Sequence, residues 1–73
     1  MKLQPKRLQK ALSDNIKKYR KEKGLSQEKL ALASGVDRSY MSEIERCLTN
    51  PSLDLILKIS NALDIEPYKL LEL

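Results

Sequence analysis

Apolar residues recur along the chain at helical spacing and nowhere alternate over six residues as a half-buried strand would. Leu8, Leu12, Ile16 and Tyr19 follow one another at steps of four, four and three, which makes one stripe on a helix. Pro5 suits the first helical position and Gly24 the residue just past the end, so a first helix is expected from about Pro5 to Lys23. Ser26 is placed to cap a short second helix with Leu30, Ala31 and Ala33 as its buried face, ended by Ser34-Gly35. Asp37 is placed to cap a third helix whose apolar pair is Met41 and Ile44. Asn50-Pro51 breaks the chain and Ser52 caps a fourth helix, with Leu53, Ile56, Ile59 and Leu63 expected inward. Asp64 ends it, and Pro67 starts a short fifth helix with Tyr68, Leu70 and Leu71. The expectation is an all-α, compact five-helix domain.

At 73 residues the chain holds one domain, residues 1–73, with a modest core. One cysteine, Cys47, excludes an internal disulfide, and the lack of histidine removes the commonest metal ligand and general base. No activated nucleophile, phosphate loop or metal-ligand spacing is present, so catalytic residues, metal and cofactors are expected to be absent and the protein is not expected to be an enzyme. No apolar run approaches the ~18 residues of a membrane span, and the charged start lacks the character of a secretory signal. A cytoplasmic protein is the expectation.

Charge changes the picture further. The formal net charge is +4, but residues 1–23 hold nine basic against two acidic side chains, and residues 24–73 five against eight. Such a block points to a polyanion partner, because cationic side chains displace counterions from phosphates. The plainer reading is a solvated lysine-rich helix face.

The link Gly35-Val36-Asp37 is too short for the second and third helices to lie antiparallel, so they must cross steeply. Ala31 provides a small residue at the crossing, and Gly35 tolerates positive φ in the turn. That is a helix-turn-helix pattern over residues 26–46. The runs Ile16-Lys17-Lys18-Tyr19-Arg20, Gly24-Leu25-Ser26-Gln27-Glu28-Lys29-Leu30-Ala31, Gly35 through Arg46, and Asn50-Pro51-Ser52-Leu53 together resemble the Cro and lambda-repressor type of regulators, the XRE family. The resemblance covers about residues 12–71. Asp37-Arg38-Ser39-Tyr40 and Ile44-Glu45-Arg46 look most like restriction–modification controller proteins and bacillus-type master repressors. Two positions depart from the family pattern. Cys47 stands where glycine is common, so a left-handed residue there is strained or shifted, and Asp64 replaces a second glycine. The loop Cys47-Leu48-Thr49 also lacks the basic residues often found there.

With Met41 and Ile44 inward, the other side of the third helix carries Ser39, Ser42, Glu43 and Arg46, flanked by Arg38 and Tyr40. These side chains are the candidates to enter a major groove. Arg38, in the first turn, has the planar fork that matches guanine O6 and N7, against a reading as a solvated cation beside Asp37. Ser39 and Ser42 read any base weakly, and Glu43 accepts from cytosine N4 or repels phosphate in a wrong register. Tyr40 touches a phosphate or thymine methyl, or else packs partly in the core. Gln27 sits at a helix N-terminus that favours phosphate, and the resemblance makes it a backbone clamp; otherwise it is an ordinary first-turn residue. Arg46 and Asn50 are candidate phosphate contacts. Arg20 borders the buried stripe and Glu45 lies about 40° from the Met41 direction, so the two are expected to pair across helices, as the resemblance also implies. Cys47 reads as a small neutral residue in place of glycine rather than a redox switch.

Tyr68, Leu70, Leu71 and Leu73, with Leu55, exceed what so small a core should bury, which predicts a homodimer through residues 65–73 and part of the fourth helix. The alternative is that Leu70 and Leu71 close the monomer core. The resemblance implies a transcriptional regulator that binds a palindromic operator in double-stranded DNA. No effector domain fits in 73 residues, so control falls to dimer concentration, promoter geometry or a protein antagonist. The alternative function is a protein-interaction module, an antitoxin or adaptor, on the same fold.

Overall fold

The computed structural model describes residues 2–73. It has four α-helices, α1 (Pro5–Glu22), α2 (Gln27–Ser34), α3 (Arg38–Glu45) and α4 (Leu53–Leu63), followed by a 3-10 helix (Pro67–Leu71). No strand occurs among the described residues. Three helix starts are set by local chemistry. Ser26 Oγ accepts from the Lys29 N–H at 3.0 Å, Asp37 Oδ1 from Tyr40 at 2.8 Å, and Ser52 Oγ from Leu55 at 3.1 Å. Each satisfies one N–H that the first turn leaves free. At α1, Gln4 caps with no side-chain bond and Pro5 opens the helix.

All four helices stop in the same way. A residue at positive φ (Gly24, Gly35, Cys47 or Asp64) bonds back three residues, and its successor bonds back five. This is the Schellman arrangement, in which two otherwise orphaned carbonyls gain donors. The successors Leu25, Val36 and Ile65 pack against the core. Leu48, the fourth, is 61% exposed.

At Cys47 the left-handed conformation (φ 63°) is carried by a residue with a Cβ, the strain the sequence signalled. Glycine avoids that penalty but is freer when unfolded, and the half-buried thiol contributes some packing. Cys47→Gly is therefore expected to stabilise the fold by about 1 kcal/mol. For a domain of this size that raises the melting temperature by roughly 4–8 °C. A lower melting temperature would mean that packing of the thiol outweighs the backbone relief.

Leu12, Ile16, Leu30, Ala31, Met41, Ile44, Leu55, Ile56, Ile59, Leu63 and Leu70 form the core. Several inward positions differ from the sequence expectation. On α2 the buried face runs between Leu30 and Ala31, so Ser34, not Ala33, turns inward; its Oγ is buried without a hydrogen-bond partner. On α4, Leu53 lies about 120° from Ile59 at the very first turn, beyond the cover of other helices, and is 79% exposed. Leu55, about 40° from Ile59 on the other side, is buried instead. Leu8 at the start of α1 is likewise exposed. The last element winds as a 3-10 helix, opened by Pro67.

α1 organises the rest through polar side chains as well as apolar ones. Ser13 Oγ donates to the buried Ile44 carbonyl at 2.7 Å. Gln9 Nε2 donates to the carbonyls of Thr49 (3.1 Å) and Cys47 (3.4 Å). On its other side, Asn15 Nδ2 donates to the carbonyls of Leu70 and Glu72. The end of α3 and the C-terminal segment thus sit on opposite flanks of α1.

Candidate nucleic-acid interface

α3 is held by its apolar side and its last turn. Met41 and Ile44 are fully buried, and Glu45 is buried beside them. The Glu45 carboxylate receives Arg20 Nε at 2.7 Å and Nη2 at 3.0 Å, and Gln27 Nε2 at 3.1 Å. The third guanidinium nitrogen of Arg20 donates to the Leu25 carbonyl at 2.9 Å. One carboxylate thereby joins the ends of α1 and α3 to the start of α2. Arg20 is a structural cation here, pointed away from solvent.

With those contacts fixing the helix, Arg38, Ser39, Glu43 and Arg46 are exposed, and Ser42 and Tyr40 are half-buried. The Asp37 carboxylate is engaged by the Tyr40 N–H, and among the described residues Arg38 has no ion-pair partner. Its fork is free. Tyr40 packs partly against the core, so only part of its ring and hydroxyl faces outward. Asn50 is exposed at the end of the loop that Gln9 holds.

Gln27 is placed differently from the phosphate clamp that the sequence suggested. Its side-chain nitrogen is committed to Glu45, which leaves one amide hydrogen and the backbone of the α2 N-terminus for an anion. Gln9 and Ser13 were missed by the sequence reading. Their only signal was spacing: Gln9, Ser13 and Arg20 share the flank of α1 next to its apolar stripe.

Two members of the expected dimer surface are core residues. Leu70 is fully buried and Leu55 nearly so, because α1, α4 and the 3-10 helix close over them within one chain. Leu71 is half-buried against the same core. Tyr68 and Leu73 remain exposed, at 61% and 62%. No group of three His, Cys, Asp or Glu side chains among the described residues is placed to hold a metal. No helix among them is long and apolar enough to cross a membrane.

Comparisons with known proteins agree with this geometry. The family model described as Helix-turn-helix (HTH_3) matches residues 16–70. The HTH-type transcriptional regulator SinR of Bacillus subtilis (strain 168) is 48% identical over 62 residues, 84% of this chain and 56% of that protein. The control protein C.BamHI of Bacillus amyloliquefaciens is 52% identical over 48 residues, 66% of this chain and 59% of that one. The chain thus spans little more than half the length of these curated relatives. Among solved structures, the restriction-modification controller protein C.AhdI from Aeromonas hydrophila superposes with a TM-score of 0.82 at 48% identity, covering 85% of this chain and 94% of that one. A capped, outward-facing α3 on a buried ion pair, a family match over most of the length and relatives that are regulators rather than enzymes lead to one conclusion: the chain belongs to the XRE-type helix-turn-helix family of transcriptional regulators.

Proposed function

We propose that the protein is a sequence-specific regulator that binds a palindromic operator as a homodimer, with α3 in the major groove. The observation that carries this reading is the polar side of α3, turned to solvent with the unpaired Arg38 fork in its first turn. Helices presented this way meet base edges with their N-terminal residues. Arg38 reads a guanine through O6 and N7, Ser39 and Ser42 add weak contacts, and Glu43 accepts from a cytosine amino group. Tyr40 contributes through the exposed part of its ring. Arg46, Asn50 and the remaining amide hydrogen of Gln27 hold phosphates, which set register without reading sequence.

One such domain covers few base pairs, so two copies on half-sites about 34 Å apart supply the rest of the specificity. Tyr68 and Leu73, with the edge of Leu71, are the apolar groups of the C-terminal segment left for a partner copy. The named likenesses to SinR and to restriction–modification control proteins favour a promoter-bound regulator acting in the cytoplasm, with a protein antagonist or dimer concentration as its control.

Selection of bound sites from random duplexes tests the reading. The expected result is an enriched inverted repeat bound about 10³-fold or more above random DNA. Its affinity should fall steeply with salt. Recovery of no preferred sequence would overturn it, and recovery of single half-sites would overturn the dimer.

A further inference from the structure

We propose that the flank of α1 carrying Lys6, Lys10, Lys17 and Lys21 is a second track for the phosphate backbone of duplex DNA, and that Asp14 holds part of its charge back. The inference rests on duplex DNA being the partner, as argued above.

Helical geometry and the hydrogen bonds of α1 place this flank. Taking buried Ile16 as the inward direction, Gln9, Ser13 and Arg20 lie within roughly 60° of it on one side at 100° per residue. Those three side chains donate to Cys47 and Thr49, to Ile44 and to Glu45. That side of α1 therefore runs along the end of α3 and the loop after it, where Arg46 and Asn50 emerge exposed. The next positions outward, at roughly 80–140°, are Lys6, Lys17, Lys10 and Lys21. Lys6, Lys10 and Lys21 are exposed and Lys17 is half-exposed. The other flank is closed by the C-terminal segment through Asn15, and Lys18 is turned over the Tyr19 ring, 4.9 Å from its centre. The cations bordering α3 thus form a row of their own. From Lys6 to Lys21 it is about 22 Å long at 1.5 Å per residue, the rise of about six base pairs.

Asp14 sits within the row. Its carboxylate is 2.8 Å from Lys10 Nζ and 3.8 Å from Lys17 Nζ. The hydrogen bond from Lys10 holds the Asp14 carboxyl below its usual range, and the same bond raises the Lys10 ammonium. A smaller contribution from Cys47, once ionised, also raises Lys10, which puts the end of α3 within its electrostatic reach. The row keeps four cations against one carboxylate. A solubility face would need no such placement. A phosphate strand passing the end of α3 would meet these ammonium groups next, in competition with Asp14 for two of them.

The test measures affinity of the full chain for its selected duplex over a range of salt concentrations, with a random duplex in parallel. Lys10→Gln/Lys17→Gln is expected to weaken both complexes by roughly tenfold at low salt and to flatten the slope of log K against log salt by about 1.8, the value for two lost phosphate contacts. The preference for the selected sequence should hardly change, because backbone contacts carry no sequence information. Arg7→Gln/Lys18→Gln removes the same charge from outside the row and should leave the slope near wild type. Asp14→Asn should tighten both complexes several-fold. Equal slopes for the two double variants would overturn the track, as would a lysine pair whose loss changes nothing or an Asp14→Asn variant that binds no better. A wild-type chain that binds no duplex would instead sink the functional reading itself. All the altered side chains lie outside the buried core, so retained helicity separates lost contact from lost fold.

Discussion

Arg20→Ala is expected to destabilise the domain by about 3 kcal/mol. The reason lies in what is left behind. Glu45 is 3% exposed and Arg20 13%, so the pair is largely shielded from water and little screened by salt. Without the guanidinium, the carboxylate keeps only the Gln27 amide, and the Leu25 carbonyl loses its side-chain donor as well. For a domain this small the loss corresponds to a melting-temperature drop of roughly 12–24 °C. Arg20→Lys should recover only part of it, since an ammonium cannot serve both carboxylate oxygens and a carbonyl in fork geometry. The double variant Arg20→Met/Glu45→Leu separates two ideas. An apolar pair of similar volume removes both buried charges, and recovery close to wild-type stability would show that the cost belonged to the stranded charge, not to a bond intrinsically strong. Thermal and urea unfolding of the three variants provides the check. An unchanged midpoint for Arg20→Ala would mean that Glu45 is well solvated in solution and that α3 is held by Met41 and Ile44 alone.

Such a pair was legible in the sequence because it borders apolar positions whose spacing is unambiguous. The same holds for most of the scaffold. Ser26, Asp37 and Ser52 each stand just before a helical apolar pattern, and capping depends only on residues a few positions apart. Gly24 and Gly35 mark left-handed turns for a similarly local reason. What the sequence conceals depends on partners far along the chain. Gln9 and Ser13 are ordinary polar residues until the end of α3, some thirty to forty positions later, arrives beside them. Whether Leu55 and Leu70 are core or interface is a question of how much apolar surface four short helices can enclose, and the 3-10 helix closing over α1 and α4 settled it for the monomer. Leu53 and Ala33 were misplaced because helical periodicity gives a direction but not the edge of the neighbouring helix's cover. Gln27 sits where a phosphate clamp belongs by position, yet its side chain answers to Glu45, a group whose direction periodicity gave but whose second partner it did not.

Arg38→Ala should have the largest effect on recognition with almost none on the fold. The side chain is exposed and has no ion-pair partner among the described residues, and the cap on α3 comes from Asp37. The melting temperature should stay within a degree or two, as for other surface changes of about 0.5 kcal/mol or less. Loss of a bidentate guanine contact costs about 1–3 kcal/mol of discrimination per half-site. On a two-fold symmetric site the loss counts twice, so the preference for the selected sequence over random DNA should fall by roughly 30-fold at least. Binding to random DNA should fall much less, because one cation of several is removed. Arg38→Lys distinguishes charge from shape: it keeps the cation, so the salt slope and random-sequence affinity should match wild type, while the preference for guanine at the contacted position relaxes. A lysine variant that selects the same sequence with the same stringency would show that Arg38 acts only as a positive charge, and base reading would then have to come from Ser39, Ser42 and Glu43. Those side chains are short or anionic and belong to the remaining exposed polar face of α3. They offer no second bidentate donor for guanine, so stringent recognition without the Arg38 fork would require the duplex to be read through its deformability instead.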